Sequence, residues 1–181
     1  MEAPTILLLP GLGNSGPDHW QTAWEAELAN CRRVDQADWD NPVLEDWIHA
    51  LETSVQEAQA PVVLVAHSLA CALVAHWAAS GGATGKVYSA LLVAPADVEE
   101  AAQIPPEVLG FAPMPLDILP FKSLVIASLD DPYVDPDRAQ FFAACWYGGF
   151  LDVGPLGHIN ADSKLGNWPE GRQYLSQILP P

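Results

Sequence analysis

The sequence predicts an α/β protein, a three-layer αβα sandwich around a mostly parallel sheet. Two observations carry that expectation. Short apolar runs such as Ile6–Leu9 and Val62–Ala66 lack polar alternation, as strands buried on both faces do. Between such runs lie amphipathic stretches, and strands separated by helices close parallel pairs through right-handed crossovers.

Thr5–Leu9 reads as the first buried strand, followed by a helix around Trp20–Leu28. A short strand is expected near Arg33–Val34. In the next helix Leu44, Trp47, Ile48, Leu51 and Val55 recur at spacings of three and four, which puts them on one face. Val62–Ala66 is β-branched and apolar, and Leu69–Ala79 is a helix closed by Gly81-Gly82. Val87–Ala94 and Leu124–Ala127 are two further strands. A helix through Ala139–Ala144 leads to a last strand at Phe150–Val153, and Pro169 opens a final helix over Glu170–Ile178. The stretch Pro95–Pro120 holds six prolines and little periodicity, the mark of a functional or capping loop inside a domain.

The 181 residues suit one domain with a substantial core. Half of the residues are apolar, which sets disorder aside. The apolar runs are far too short for a membrane span, and the N-terminus has no basic, apolar leader, so a cytoplasmic protein is expected. With 7 basic and 23 acidic residues the net charge is −16, which argues against nucleic acid and anionic membranes as partners. Cys31, Cys71 and Cys145 are widely spaced, without a CxxC or Cys/His metal pattern. They read as reduced, mostly buried thiols, and neither metal nor organic cofactor is expected.

Val62–Ala70 is the most informative segment. A strand runs directly into a helix, and Ser68 stands at the junction with Ala66 two residues before it and Ala70 two after. A nucleophile on such a turn projects its Oγ above the sheet, and the crowding demands small neighbours; glycine usually fills both places. The alternative is that Ser68 merely caps the helix. Three other segments bear on the choice. Gly11-Leu12-Gly13 follows the first strand, where the N–H of Leu12 joins that of Leu69 as a candidate oxyanion hole. Lacking the P-loop Lys-Ser/Thr, this loop is a weak phosphate or dinucleotide site.

Asp130 and Asp131 follow the strand ending near Ala127, on the edge where parallel sheets place their sites. Asp131, held extended by Pro132, suits a carboxylate that orients an imidazole; Asp130 is its competitor. His158 lies on a glycine-flanked loop between the last strand and last helix, with His19 and His67 as nearby alternatives and His49 and His76 on helices. The order Ser, Asp, His is that of α/β-hydrolases. Trp20 and Trp168 flank these loops. They are candidates for an apolar substrate wall, although packing suits their area better.

With these residues in view, the chain resembles the small serine hydrolases of the YdeN and retinoblastoma-binding-protein type. The resemblance rests on Pro10–Trp20, on Gly157–Ser163 and on Leu165–Gly171, and spans nearly the whole length. It implies a compact α/β-hydrolase fold without a large lid and a triad of Ser68, Asp131 and His158. It also implies hydrolysis of small-molecule carboxylic esters. The Leu-x-Cys-x-Glu motif tied to retinoblastoma binding is absent. Two rival readings stay open: a binding or regulatory protein on a hydrolase scaffold, and a thioesterase or acyltransferase using the same residues.

Overall fold

Period-two alternation sorts the strand residues onto two faces. In β1 (Thr5–Leu9) Leu7 and Leu9 enter one core, while Ile6 and Leu8 enter the other. In β3 (Val62–His67) Val62, Leu64 and Ala66 join the first core and Val63 and Val65 the second. Both faces are dry, so both need a helical cover. The computed structural model describes residues 3–100 and 102–181.

Six strands form one parallel sheet in the order β2-β1-β3-β4-β5-β6. β2 is Cys31–Arg33, β4 Val87–Val93, β5 Lys122–Ala127 and β6 Gly149–Asp152. α2 (Leu44–Glu57), α3 (Leu69–Ala79) and α4 (Pro136–Cys145) contribute to the first core. α1 (Trp20–Glu27) and α5 (Pro169–Ile178) contribute to the second. The expected three layers are therefore present. All six strands point the same way, so their C-terminal ends share one edge. The strand order reverses between β1 and β3, and the crevice of such a sheet opens there.

Each expected element is found, Thr5–Leu9 and Leu69–Ala79 at the expected bounds and the others with ends shifted by a few residues. β2 lies earlier than Arg33–Val34: it pairs with Ile6–Leu8 through Cys31–Arg33, and Val34 follows as a buried residue. The proline-rich stretch holds a short 3-10 helix, Pro106–Phe111, too brief to print a periodicity. The cysteines are free, but only Cys71 is buried; Cys31 and Cys145 are half-buried, less enclosed than expected. Burial pushes the Cys31 thiol up to about 12, with Glu25 adding to it. Among the described residues no helix is long and apolar enough to cross a membrane.

Candidate active site

β3 ends at His67 and α3 begins at Leu69, so the chain turns from strand to helix within one residue. Ser68 takes that turn at φ 58° and ψ −123°, a conformation an L-residue holds only when its surroundings impose it. Its N–H donates to the Val93 carbonyl at 2.9 Å. Ala66 and Ala70 are fully buried beside it. The loop after β1 presses equally close: a Cβ on Gly11 would lie 3.0 Å from Cβ of Ser68 and 3.0 Å from the His67 carbonyl. Ser68 stands at the helix N-cap yet makes no capping bond. The capping alternative therefore fails.

The Ser68 hydroxyl instead meets His158 Nε2 at 2.7 Å. His158 Nδ1 lies 2.9 Å from both carboxylate oxygens of Asp131. A carboxylate only accepts, so Nδ1 carries a proton, and in the neutral ring Nε2 is then the acceptor for the serine hydroxyl. The Asp131 side chain has no exposed surface, and its Oδ1 also accepts from the Tyr133 N–H at 2.9 Å. Asp130 is turned elsewhere. It accepts from the Gly157 N–H at 2.7 Å and the Ser128 hydroxyl at 2.9 Å, which hold its carboxyl below the usual range. It braces the histidine loop and does not touch the imidazole.

Leu12 and Leu69 both line the cavity above Ser68, and neither N–H donates to another described residue. Trp20 and Trp168 are not in that lining. Both are 1% exposed and belong to the second core, so the substrate-wall expectation is corrected. Trp20 Nε1 donates to the Ile159 carbonyl at 2.8 Å, which anchors the histidine loop from beneath.

Three histidine rings form a row. His67 is 4.9 Å from His158 and 4.8 Å from His19, centroid to centroid. His67 Nε2 meets the His158 carbonyl at 2.9 Å and must donate to it, so Nδ1 is the bare nitrogen of the neutral ring. Burial, then the nearby His158 and His19, hold His67 well below the usual imidazole range. His19 accepts the Gln21 N–H at Nδ1, capping α1. Burial, with Arg33 and His158, lowers it to about 4. Neither competes with His158 for Ser68. His76 instead ties α3 to the Phe111 carbonyl at 2.7 Å.

The cavity, about 240 Å³, also takes in residues that spacing alone does not single out. Ala96, Ile104, Pro105 and Val108 bring the proline-rich stretch into the lining with Ser68, and Asn14 and Asn160 line it as well. Among the described residues no group of His, Cys, Asp and Glu is arranged to hold a metal ion.

Residues 6–177 match the model of a family described as serine hydrolase. The chain belongs to that family. A YdeN-like hydrolase from Pectobacterium atrosepticum is 30% identical with a TM-score of 0.85, covering 97% of this chain and 90% of its own. The ydeN product of B. subtilis is 18% identical with a TM-score of 0.74, covering 97% and 98%. Est1E of Butyrivibrio proteoclasticus, solved with ferulic acid, is 11% identical with a TM-score of 0.69, covering 98% and 90%. The last two share the fold. No curated protein matches the chain. A serine hydrolase of the YdeN type with a compact α/β-hydrolase fold is thereby established.

Proposed function

We propose that this hydrolase cleaves carboxylic esters through an acyl-enzyme, with Ser68 as nucleophile, His158 as base and Asp131 as its orienting carboxylate. The observation that carries the reading is the continuous bonding from Ser68 Oγ through His158 to Asp131, at 2.7 and 2.9 Å. Oγ attacks the ester carbonyl as Nε2 takes its proton, and Asp131 balances the imidazolium. The N–H groups of Leu12 and Leu69 receive the oxyanion, helped by the N-terminus of α3. His158 then gives its proton to the leaving alcohol. Water attacks the acyl group by the reverse route and releases the acid and free Ser68. None of these steps asks for a metal or organic cofactor.

The test is labelling with a fluorophosphonate probe, comparing wild type with Ser68→Ala and His158→Ala, alongside hydrolysis of p-nitrophenyl butyrate. Labelling and turnover in wild type, with both lost in the variants, is the expected result. A well-folded wild type that neither labels nor turns over ester overturns the mechanism and favours a binding protein. Turnover of a thioester far above that of the matched ester moves the activity to thioester hydrolysis by the same residues.

A further inference from the structure

The cavity has two unlike walls because it straddles the sheet edge. Ile104 and Val108 belong to the core beneath α2, α3 and α4, and with Ala96, Pro105 and Leu12 they make one side apolar. The other side comes from the loop after β1 and the histidine loop, which carry Asn14, Gly16, His19 and Asn160. Among the described lining residues none is Lys, Arg, Asp or Glu. A charged substrate group would thus be desolvated there without a countercharge.

The two asparagines are held in one orientation each. Asn14 Oδ1 accepts from the Ser15 N–H at 2.7 Å and from Arg33 Nη1 at 2.6 Å. Both partners only donate, so the oxygen is fixed on their side and Nδ2 faces away. Asn160 Oδ1 accepts from the Asp162 N–H at 3.0 Å, fixing its amide in the same way. Neither Nδ2 bonds to another described residue, and neither is sealed from solvent. His67 Nδ1 is likewise unpaired among the described residues and not sealed, a bare acceptor on the same cavity. The residues lining this side thus carry two unpaired amide donors and one unpaired acceptor, all neutral. Hydroxyl groups complement both kinds.

We propose that the substrate is a small neutral ester of a polyhydroxylated alcohol, its short acyl chain against Ile104, Pro105 and Val108 and its alcohol hydroxyls on Asn14, Asn160 and His67. The assignment of arms follows from His158, which protonates the leaving alcohol and lies two residues from Asn160 on the polar side. The acyl C–O bond breaks and water supplies the second oxygen of the acid, so ester and water give one acid and one polyol. A cavity of about 240 Å³ falls below the ~300–1,000 Å³ of pockets for drug-sized ligands, which keeps both arms short. This inference rests on the ester-hydrolase reading above.

The experiment compares glycerol 1-monobutyrate with n-butyl butyrate, two esters of the same acid whose alcohols differ in hydroxyl groups. Wild type is expected to prefer the glycerol ester by about tenfold or more in kcat/KM, as polar sites reject analogues that leave their donors unpaired. Asn14→Asp and Asn160→Asp keep the oxygen that holds the loop and remove the amide donor. Each is expected to lower the ratio of the two kcat/KM values several-fold. Equal kcat/KM for the two esters in wild type, or a ratio unchanged in both variants, overturns the inference alone. Absence of fluorophosphonate labelling and of turnover with either ester overturns the ester-hydrolase reading beneath it.

Discussion

Replacing Asp131 by Asn tests the role of the carboxylate with almost no change of shape. Both oxygens lie 2.9 Å from His158 Nδ1 and the side chain is wholly enclosed. At that distance and an effective dielectric of about 20, the attraction between carboxylate and imidazolium is about 6 kcal/mol. That is roughly four decades in rate, if the positive charge on the base is complete in the transition state. The amide acts a second way. Its Nδ2 has two protons to offer, so where it faces the imidazole it favours the tautomer with Nε2 protonated, which cannot take the proton of Ser68. Asp131→Asn should therefore lower kcat for p-nitrophenyl butyrate by ~10³–10⁴-fold, consistent with the loss expected when a triad base is held in the wrong tautomer. The assay pairs steady-state kinetics with the rate of fluorophosphonate labelling, and thermal unfolding checks the fold. Asp130→Asn, which weakens the bonds to Gly157 and Ser128 but leaves the imidazole untouched, should lower kcat by less than about tenfold, since an exposed hydrogen bond contributes about 1 kcal/mol. An Asp131→Asn enzyme within tenfold of wild type would refute the assignment, and a larger loss in Asp130→Asn would transfer it.

Two further predictions address the loop after β1. Gly11→Ala places a Cβ 3.0 Å from both Ser68 Cβ and the His67 carbonyl, so the loop must retreat and carry the Leu12 N–H away from the proposed oxyanion site. A fall in kcat of ~10²-fold is expected, the scale for losing one oxyanion donor, and kcat within threefold of wild type would remove Leu12 from that role. His19 is neutral in the folded chain down to about pH 4, whereas the unfolded imidazole protonates near 6.5. The unfolded state binds more protons in that window, so the stabilisation is complete above pH 6.5 and lost as pH falls toward 4, by about 3 kcal/mol. His19→Asn keeps an acceptor for the Gln21 N–H and removes the titration. Urea unfolding from pH 7 to 4 should show wild type losing more stability than this variant, and equal losses would rule the coupling out.

The fold was legible because burial on both faces writes itself into strands such as Val62–Ala66 as uninterrupted apolar runs. The three candidate residues were legible for a related reason. Each stands just past a strand's C-terminal end, where only backbone turns and function constrain the sequence, so Ser68, Asp131 and His158 stood out against glycine, alanine and proline. Asn14 and Asn160 did not stand out. Asparagine is ordinary in turns, and their orientation depends on partners up to 19 residues away, as Asn14 and Arg33 are. Trp20 and Trp168 were candidates for a substrate wall with packing the better-suited role, and packing is what they do. Proximity in sequence to the loops said nothing about which side of the backbone the rings occupy, and both face the core between α1 and α5. The role of Pro95–Pro120 was hidden because a 3-10 turn and prolines leave no period to read.

The two walls of the cavity differ in how firmly they are built, and that difference assigns them different tasks. Four ties converge on residues 156–159: Ser128 Oγ accepts the Leu156 N–H, Asp130 accepts that of Gly157, His67 donates to the His158 carbonyl, and Trp20 donates to that of Ile159. They come from three separate segments of the chain, so His158 keeps its place when any single contact is lost. Ser68 needs such support, since its left-handed backbone would relax if the loops around it could give way. The proline-rich wall is joined to the rest at more distant points: Asp97 N–H to the Tyr133 carbonyl, His76 to Phe111 and Leu119 N–H to Trp146. Ile104, Pro105 and Val108 lie between those anchors and bring apolar side chains to the cavity lining. None of the three hydrogen-bonds to Ser68, His158 or Asp131. On the proposed ester-hydrolase reading, acyl-chain length would be set on the apolar wall and chemistry by the loop that holds His158.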